Sequence, residues 1–216
     1  MIIFDIDGTL LYTIDTITYF INKTLEKYGY KEVPKEKIEE FVGNGPKVLV
    51  NKSLDYVGAR EDEAYRKEVL DFYNKAYDDN PAYLTRAYEG IDEVLDEFKK
   101  RGEILVCFSN KPDETCNKVI PEVFGRDYFD FILGYKDTYQ RKPSAEGIMI
   151  LKERFGVNYS DIIYFGDSEV DIRCGKNANI FTVACSWGFR SRELLEGENP
   201  DLLIDTPRQM LTIRRL

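Results

Sequence analysis

The sequence predicts an α/β fold, a parallel sheet flanked by helices, with an all-helical block inserted after the first strand. Three observations carry this. From Ile91 onward, short apolar runs alternate with helical periods, the pattern of a parallel sheet covered on both faces. Met1–Ile6 is an apolar run of the same kind, but it stands far ahead of the others. Between Thr13 and Tyr77 nothing reads as a strand, so these residues form an insertion.

Asp15–Tyr28 places Ile17, Phe20, Ile21, Thr24, Leu25 and Tyr28 at helical spacing, with Gly29 as its stop. Pro34 opens a second helix to Val42, and Gly43-Asn44-Gly45-Pro46 breaks the chain. Helices are predicted again over Lys47–Tyr56 and Glu61–Tyr77. In the second half the helices are Ile91–Lys100, Pro112–Val123, Ala145–Phe155 and Glu169–Asn177. The strands between them are Ile104–Phe108, Phe131–Leu133, Ile162–Phe165, Ile180–Ala184 and Leu202–Ile204.

Composition narrows the chemistry. The chain of 216 residues, 43% hydrophobic and 32% charged, is long enough for a full core and ordinary for a soluble globular protein. A net charge of -9 argues against a nucleic-acid partner, which calls for a basic patch. No run reaches the apolar length of a membrane span, and Met1 leads into a strand with no basic leader, so the cytoplasm is the expected location. Cys107, Cys116, Cys174 and Cys185 form no Cys-x-x-Cys pair, and the apolar runs around Cys107 and Cys185 read as buried free thiols. There is no histidine, which removes Ser-His-Asp and Cys-His schemes and most zinc sites. Acid–base and metal chemistry must run on carboxylates, lysine or tyrosine.

Ligands of such sheets bind beyond the carboxyl ends of the strands. Polar residues gather there: Asp5-Ile6-Asp7-Gly8-Thr9 after the first run, Ser109-Asn110 after the second, and Gly166-Asp167-Ser168 with Asp171 after a later one. Arg141-Lys142-Pro143 precedes a helix. Each element also has a plain structural reading: an Asx turn at Asp5–Gly8, a helix cap at Ser109-Asn110, a solvated loop lysine at Lys142, a helix cap at Asp167-Ser168. Their conjunction in this order favours a site. Asp5 and Asp7 share one face of an extended chain, and Asp171 falls one helical turn from Asp167. Carboxylates brought together there repel by about 4 kcal/mol per pair at about 4 Å and an effective dielectric of about 20. A divalent cation relieves this, and an all-oxygen ligand set suits magnesium.

These four stretches resemble, in order, the motifs of the haloacid dehalogenase-like superfamily, and the match spans nearly the whole chain. The resemblance implies a Rossmann-like parallel-sheet core, residues 1–10 plus 88–216, and a helical cap domain, residues 11–87. The links at Leu11–Thr13 and Leu84–Arg86 would be its hinges. It implies Asp5 as the nucleophile forming an aspartyl-phosphate and Asp7 as the acid–base. Ser109, the Asn110 backbone and Lys142 would hold the phosphoryl oxygens, with Gly8 and Thr9 beneath them. Mg2+ would be bound by Asp5, the Asp7 backbone carbonyl and Asp167, with Asp171 in the first or second shell. An acid at Asp7 favours phosphate esters over halides, which need no proton.

Phe41–Val50, Tyr88–Leu95 and Ser109-Asn110-Lys111 resemble phosphoglycolate phosphatases in particular, which implies a cap-loop contact with substrate for Gly43, Asn44 and Gly45. Tyr12-Thr13 departs from that pattern, where such enzymes carry Asp-Ser. The expected partner is a small phosphorylated metabolite, 2-phosphoglycolate first. A broader sugar-phosphate, nucleotide or pyrophosphate phosphatase is the alternative, and a non-catalytic phosphate binder the alternative from another class. A phosphonatase stays open through Lys23 or Lys47, whereas a β-phosphoglucomutase is disfavoured, because that family's cap carries a histidine and this chain has none. Either a monomer or a homodimer is compatible with the sequence.

Overall fold

The computed structural model describes residues 1–60, 62–125 and 128–213. In chain order the first half comprises β1 (Ile2–Phe4), β2 (Leu11–Tyr12), α1 (Ile14–Lys27), α2 (Lys35–Phe41), α3 (Pro46–Tyr56), α4 (Glu63–Asp78) and β3 (Arg86–Ala87). The second half comprises α5 (Ile91–Lys100), β4 (Leu105–Pro112), α6 (Asp113–Phe124), β5 (Phe131–Tyr135), α7 (Glu146–Phe155), β6 (Ile163–Gly166), α8 (Glu169–Ala178), β7 (Phe181–Cys185), α9 (Arg192–Gly197) and β8 (Leu202–Ile204).

Six strands form one parallel sheet in the order β5-β4-β1-β6-β7-β8. The chain runs outward from β1 through β4 and β5, then returns to the other side for β6, so β1 borders the topological switch point where such sheets bind ligands. Alternation along β1 divides the core. Ile2 and Phe4 pack with α5 and α6 residues such as Val94, Leu95, Val119 and Ile120. Ile3 packs on the opposite face with Ile148 and Leu151 of α7 and Cys174 of α8. Both faces are therefore covered, which accounts for strands that are apolar throughout.

A third cluster is drawn from α1–α4, including Ile17, Phe20, Ile21, Ile38, Leu49, Leu54, Val69 and Tyr73. The helical block thus buries its own apolar faces. It joins the sheet through an antiparallel pair, Leu11 opposite Ala87 and Tyr12 opposite Arg86. Two-residue strands are too short to show a period, and the sequence reading omits them, together with α9. Among the described residues no strand falls between Thr13 and Tyr77, as the sequence suggests.

Several boundaries shift. The third helix starts at Pro46, where a missing N–H costs nothing at the first helical position. The fourth runs Glu63–Asp78; Glu61, its expected start, lies outside the described residues. The strand expected to end at Phe108 continues to Pro112, so Ser109 and Asn110 are strand residues and not a helix cap. All four cysteines are free and buried.

Candidate active site

Register assembles the site. Phe4 pairs with Cys107 on one side and Phe165 on the other, so Asp5, next after Phe4, emerges at the carboxyl edge together with Ser109 and Asp167, each two residues past its paired position. They line a cleft shared with Asp7, Asn110, Lys111 and Lys142 from the core and Ile17, Gly43, Gly45, Leu49, Tyr73 and Tyr77 from the helical block.

Lys142 is the central cation. Its Nζ lies 2.8 Å from Asp5 Oδ1 and 2.7 Å from Asp171 Oδ1, and it donates to Tyr164 Oη at 3.0 Å. Burial lowers its pKa, but Asp171 and Asp5 outweigh that and hold it well above the usual lysine range. Asp171 is saturated: Oδ1 accepts from Lys142 and Tyr164, and Oδ2 from the Ser168 N–H at 3.1 Å and hydroxyl at 2.6 Å. Burial pushes its carboxyl up, but Lys142 and these donors override it and hold Asp171 below the ordinary carboxylate value. The helix-cap reading of this stretch therefore applies to Ser168, which caps α8 with Asp171 as the reciprocal member.

Asp5 shares the same ammonium but is less well served. The aligned hydrogen bonds of Lys142 go elsewhere, and Asp5 Oδ1 is a buried oxygen without an aligned donor. Burial raises its carboxyl to about 7 against the attraction of Lys142, with Asp171 and Asp7 adding to the rise. Asp167 is pushed well up by burial and then by Asp171 and Asp5. Its oxygens accept from Thr9 Oγ1 at 3.2 Å and the Phe189 N–H at 2.8 Å. Oxygens of Asp5, Asp167 and Asp171 lie within 4.8 Å of one another. Three buried carboxylates, of which Asp5 and Asp171 share one ammonium and Asp167 has none, with Asp5 Oδ1 lacking an aligned hydrogen bond, fit an oxygen-ligated divalent cation.

Gly8 adopts φ +88°, and a Cβ there would fall 2.2 Å from Asp167 Oδ2. Its role is to admit the carboxylate beside the turn. Thr9 is fully buried on Asp167 and does not reach the cleft. Asn110 uses its side chain as a brace: Oδ1 accepts from the Lys142 N–H at 2.8 Å, and Nδ2 donates to Lys142 O at 3.1 Å and Gly43 O at 3.0 Å. Gly45 sits so near Arg141 that a Cβ would fall 2.3 Å from its Nη1. Gly43 and Gly45 face the cleft, and Asn44 between them is not among its lining residues.

Three groups escape the sequence reading. Asp7 is held at 3.1 Å through both oxygens by Lys111 Nζ, which also donates to Tyr77 Oη at 2.9 Å. Arg190 pairs with Glu169 at 2.8 Å and donates to Glu39 O at 2.6 Å and Val42 O at 2.7 Å, tying α2 to the core. Gly188 packs on Asp167, where a Cβ would fall 2.2 Å from the Asp167 Cβ. Gly188 and Arg190 follow the end of β7, so the strand-end rule reaches them; Lys111 stands beside Asn110 and shows no period of its own.

Residues 2–185 match the haloacid dehalogenase-like hydrolase family, and the chain belongs to that family. It is an enzyme of the phosphoric monoester hydrolase kind. Among its relatives are phosphoglycolate phosphatase 1 of Pseudomonas aeruginosa, 29% identical over 98% of this chain and 78% of that protein, and the phosphoglycolate phosphatase of Aquifex aeolicus, 28% identical over 99% and 95%. The crystal structure of a candidate phosphoglycolate phosphatase from Lactobacillus delbrueckii subsp. bulgaricus superposes with a TM-score of 0.90 at 28% identity, covering 97% of this chain and 95% of that one.

Proposed function

We propose that this enzyme is a Mg2+-dependent phosphatase that hydrolyses small phosphate monoesters through an aspartyl-phosphate on Asp5, with 2-phosphoglycolate as the leading substrate. The observation that carries the reading is the meeting of Asp5, Lys142 and Asp167 at one strand edge, with Asp7 two residues beyond the nucleophile. Asp5, the Asp7 backbone carbonyl and Asp167 would hold Mg2+, which supplies positive charge to the phosphoryl oxygens. The saturated Asp171 acts instead by aiming Lys142.

Asp5 attacks phosphorus in line; Asp7 gives a proton to the departing ester oxygen and then takes one from the water that cleaves the aspartyl-phosphate. Ser109 and Lys142 bind the phosphoryl oxygens, and the ammonium, held by fixed carboxylates, needs no reorganisation as charge develops. The names of the relatives and the narrow cleft under α3 and α4 support a small substrate. Among the described residues no helix is long and apolar enough to cross a membrane, and we place the enzyme in the cytoplasm.

Phosphate release tests this directly. Chelation should abolish hydrolysis of 2-phosphoglycolate, magnesium should restore it, and calcium should substitute poorly because its larger shell takes both oxygens of Asp5. Undiminished turnover in excess chelator overturns the metal dependence. No hydrolysis of any monoester with magnesium favours the non-catalytic phosphate binder.

A further inference from the structure

Three cations line the cleft among the described residues: Lys142, Arg190 and Lys111. Lys142 is held by Asp5 and Asp171, and Arg190 by Glu169 and two carbonyls of the helical block. Neither set of partners has to leave when the leaving group binds. Lys111 differs. It is 8% exposed, and its only anionic partner among the described residues is Asp7, gripped through both oxygens at 3.1 Å. Asp7 is the residue that must turn an oxygen toward the ester oxygen of the substrate. That movement gives up at least one of the two contacts with the ammonium. A buried ammonium deprived of its partner is strongly disfavoured, so the complex is stable only where another anion takes the vacated place.

We propose that Lys111 recognises a negative charge on the leaving group, placed one carbon beyond the ester oxygen, and so selects phosphate esters of 2-hydroxy carboxylates over esters of neutral alcohols. The inference rests on the phosphatase reading and assigns the substrate class of that same site. The reach fits. The ester oxygen sits against Asp7, and Asp7 is in hydrogen-bond contact with Lys111, so a carboxylate separated from that oxygen by one carbon lies beside the ammonium. Tyr77 Oη, at 2.9 Å from Nζ, keeps Lys111 aimed while Asp7 is engaged. A neutral leaving group, as in a hexose phosphate, cannot provide this replacement. The cap-loop contact expected at Gly43–Gly45, just before α3, is less suited to an anion: Pro46 offers no N–H there, and Lys47 is exposed and does not line the cleft.

The test compares 2-phosphoglycolate with 2-hydroxyethyl phosphate, which has a hydroxymethyl group in place of the carboxylate. Wild type should favour phosphoglycolate at least about tenfold in kcat/KM, the lower range for a charge-assisted hydrogen bond. Lys111→Met should lower kcat/KM for both esters, since Asp7 loses its anchor. The phosphoglycolate loss should be about tenfold greater and fall mainly on KM, collapsing the preference. Lys111→Arg, which keeps the cation, should restore much of the preference. Circular dichroism checks the fold of the variants, and the wild-type ratio needs no variant at all. Equal use of the two esters by wild type, or equal losses in Lys111→Met, overturns the inference and leaves the phosphatase reading intact. Hydrolysis of neither ester by wild type overturns both.

Discussion

Asp5→Asn should abolish turnover and at the same time make the metal-free protein more stable. Burial, aided by Asp171 and Asp7, raises the Asp5 carboxyl from 3.8 to about 7 despite the neighbouring Lys142. The folded state then holds this proton more tightly than the unfolded chain does. Wild-type stability therefore falls as pH rises from 3.8 through about 7, and the full penalty is in place above that. At about 1.36 kcal/mol per tenfold change in proton affinity, its upper bound is about 4 kcal/mol. Asparagine escapes this penalty, which is already net of the Lys142 attraction, but its amide must find partners, so the net gain should be about 2 kcal/mol. Urea unfolding in chelator at pH 8 should show the variant more stable, with the advantage shrinking toward zero near pH 4. Magnesium should reverse the order. A cation at about 100 times its Kd adds about 2.7 kcal/mol to wild type, and the variant, lacking one carboxylate, should gain much less. An Asn variant no more stable than wild type at pH 8 in chelator would falsify the claim that Asp5 is held ionised against its surroundings.

Asp7→Asn keeps the nucleophile and loses the acid, so kcat should fall about 10²–10⁴-fold for alkyl phosphates, with a smaller loss for aryl phosphates in pre-steady-state phosphorylation. Gly188→Ala would drive a methyl into Asp167, and the half-saturating magnesium concentration should rise about 10–100-fold in a phosphate-release titration. Lys47→Ala, at an exposed position away from the cleft, should leave kcat/KM for phosphoglycolate within about twofold; a larger loss would return the anion site to the start of α3.

Much of the fold is legible because its signals are local. Alternating apolar runs and helical periods mark the sheet and helices, and Gly29 and Gly156 stop their helices in the left-handed conformation their φ values record. The carboxylates at the strand ends are legible for a different reason. The site lies where a parallel sheet must present polar residues, so a break from apolar to acidic locates it without coordinates. What stays hidden depends on pairing across the fold. The sequence puts Asp171 one turn from Asp167, which makes both look like metal ligands; only the arrival of Lys142, Tyr164 and Ser168 shows that its oxygens are already taken. The sequence likewise offers the Asn110 backbone to the phosphate but does not show that its side chain spans the Lys142 loop and Gly43.

The residues that join the helical block to the chemistry carry another expected role, as Asn110 does, or none, as Lys111 and Arg190 do. Lys111 reaches Tyr77 of α4, Asn110 reaches Gly43, and Arg190 reaches the end of α2. Each stands on the core next to a strand end, and each contacts a different part of the block. The links are polar, and two of the three use carbonyls of the block, so they demand no particular side chain on the receiving side. The buried clusters of α1–α4 and of the sheet are separate, with Phe189 packing on the former from the core, so these polar links help hold the helical block in register over the cleft. Its inner surface is then free to differ in side chains, as at Ile17, Leu49 and Tyr73, while Asp5, Lys142 and Asp167 keep one geometry. Lys111 of β4, touching Asp7 on one side and Tyr77 on the other, is where the helical block meets the proposed chemistry.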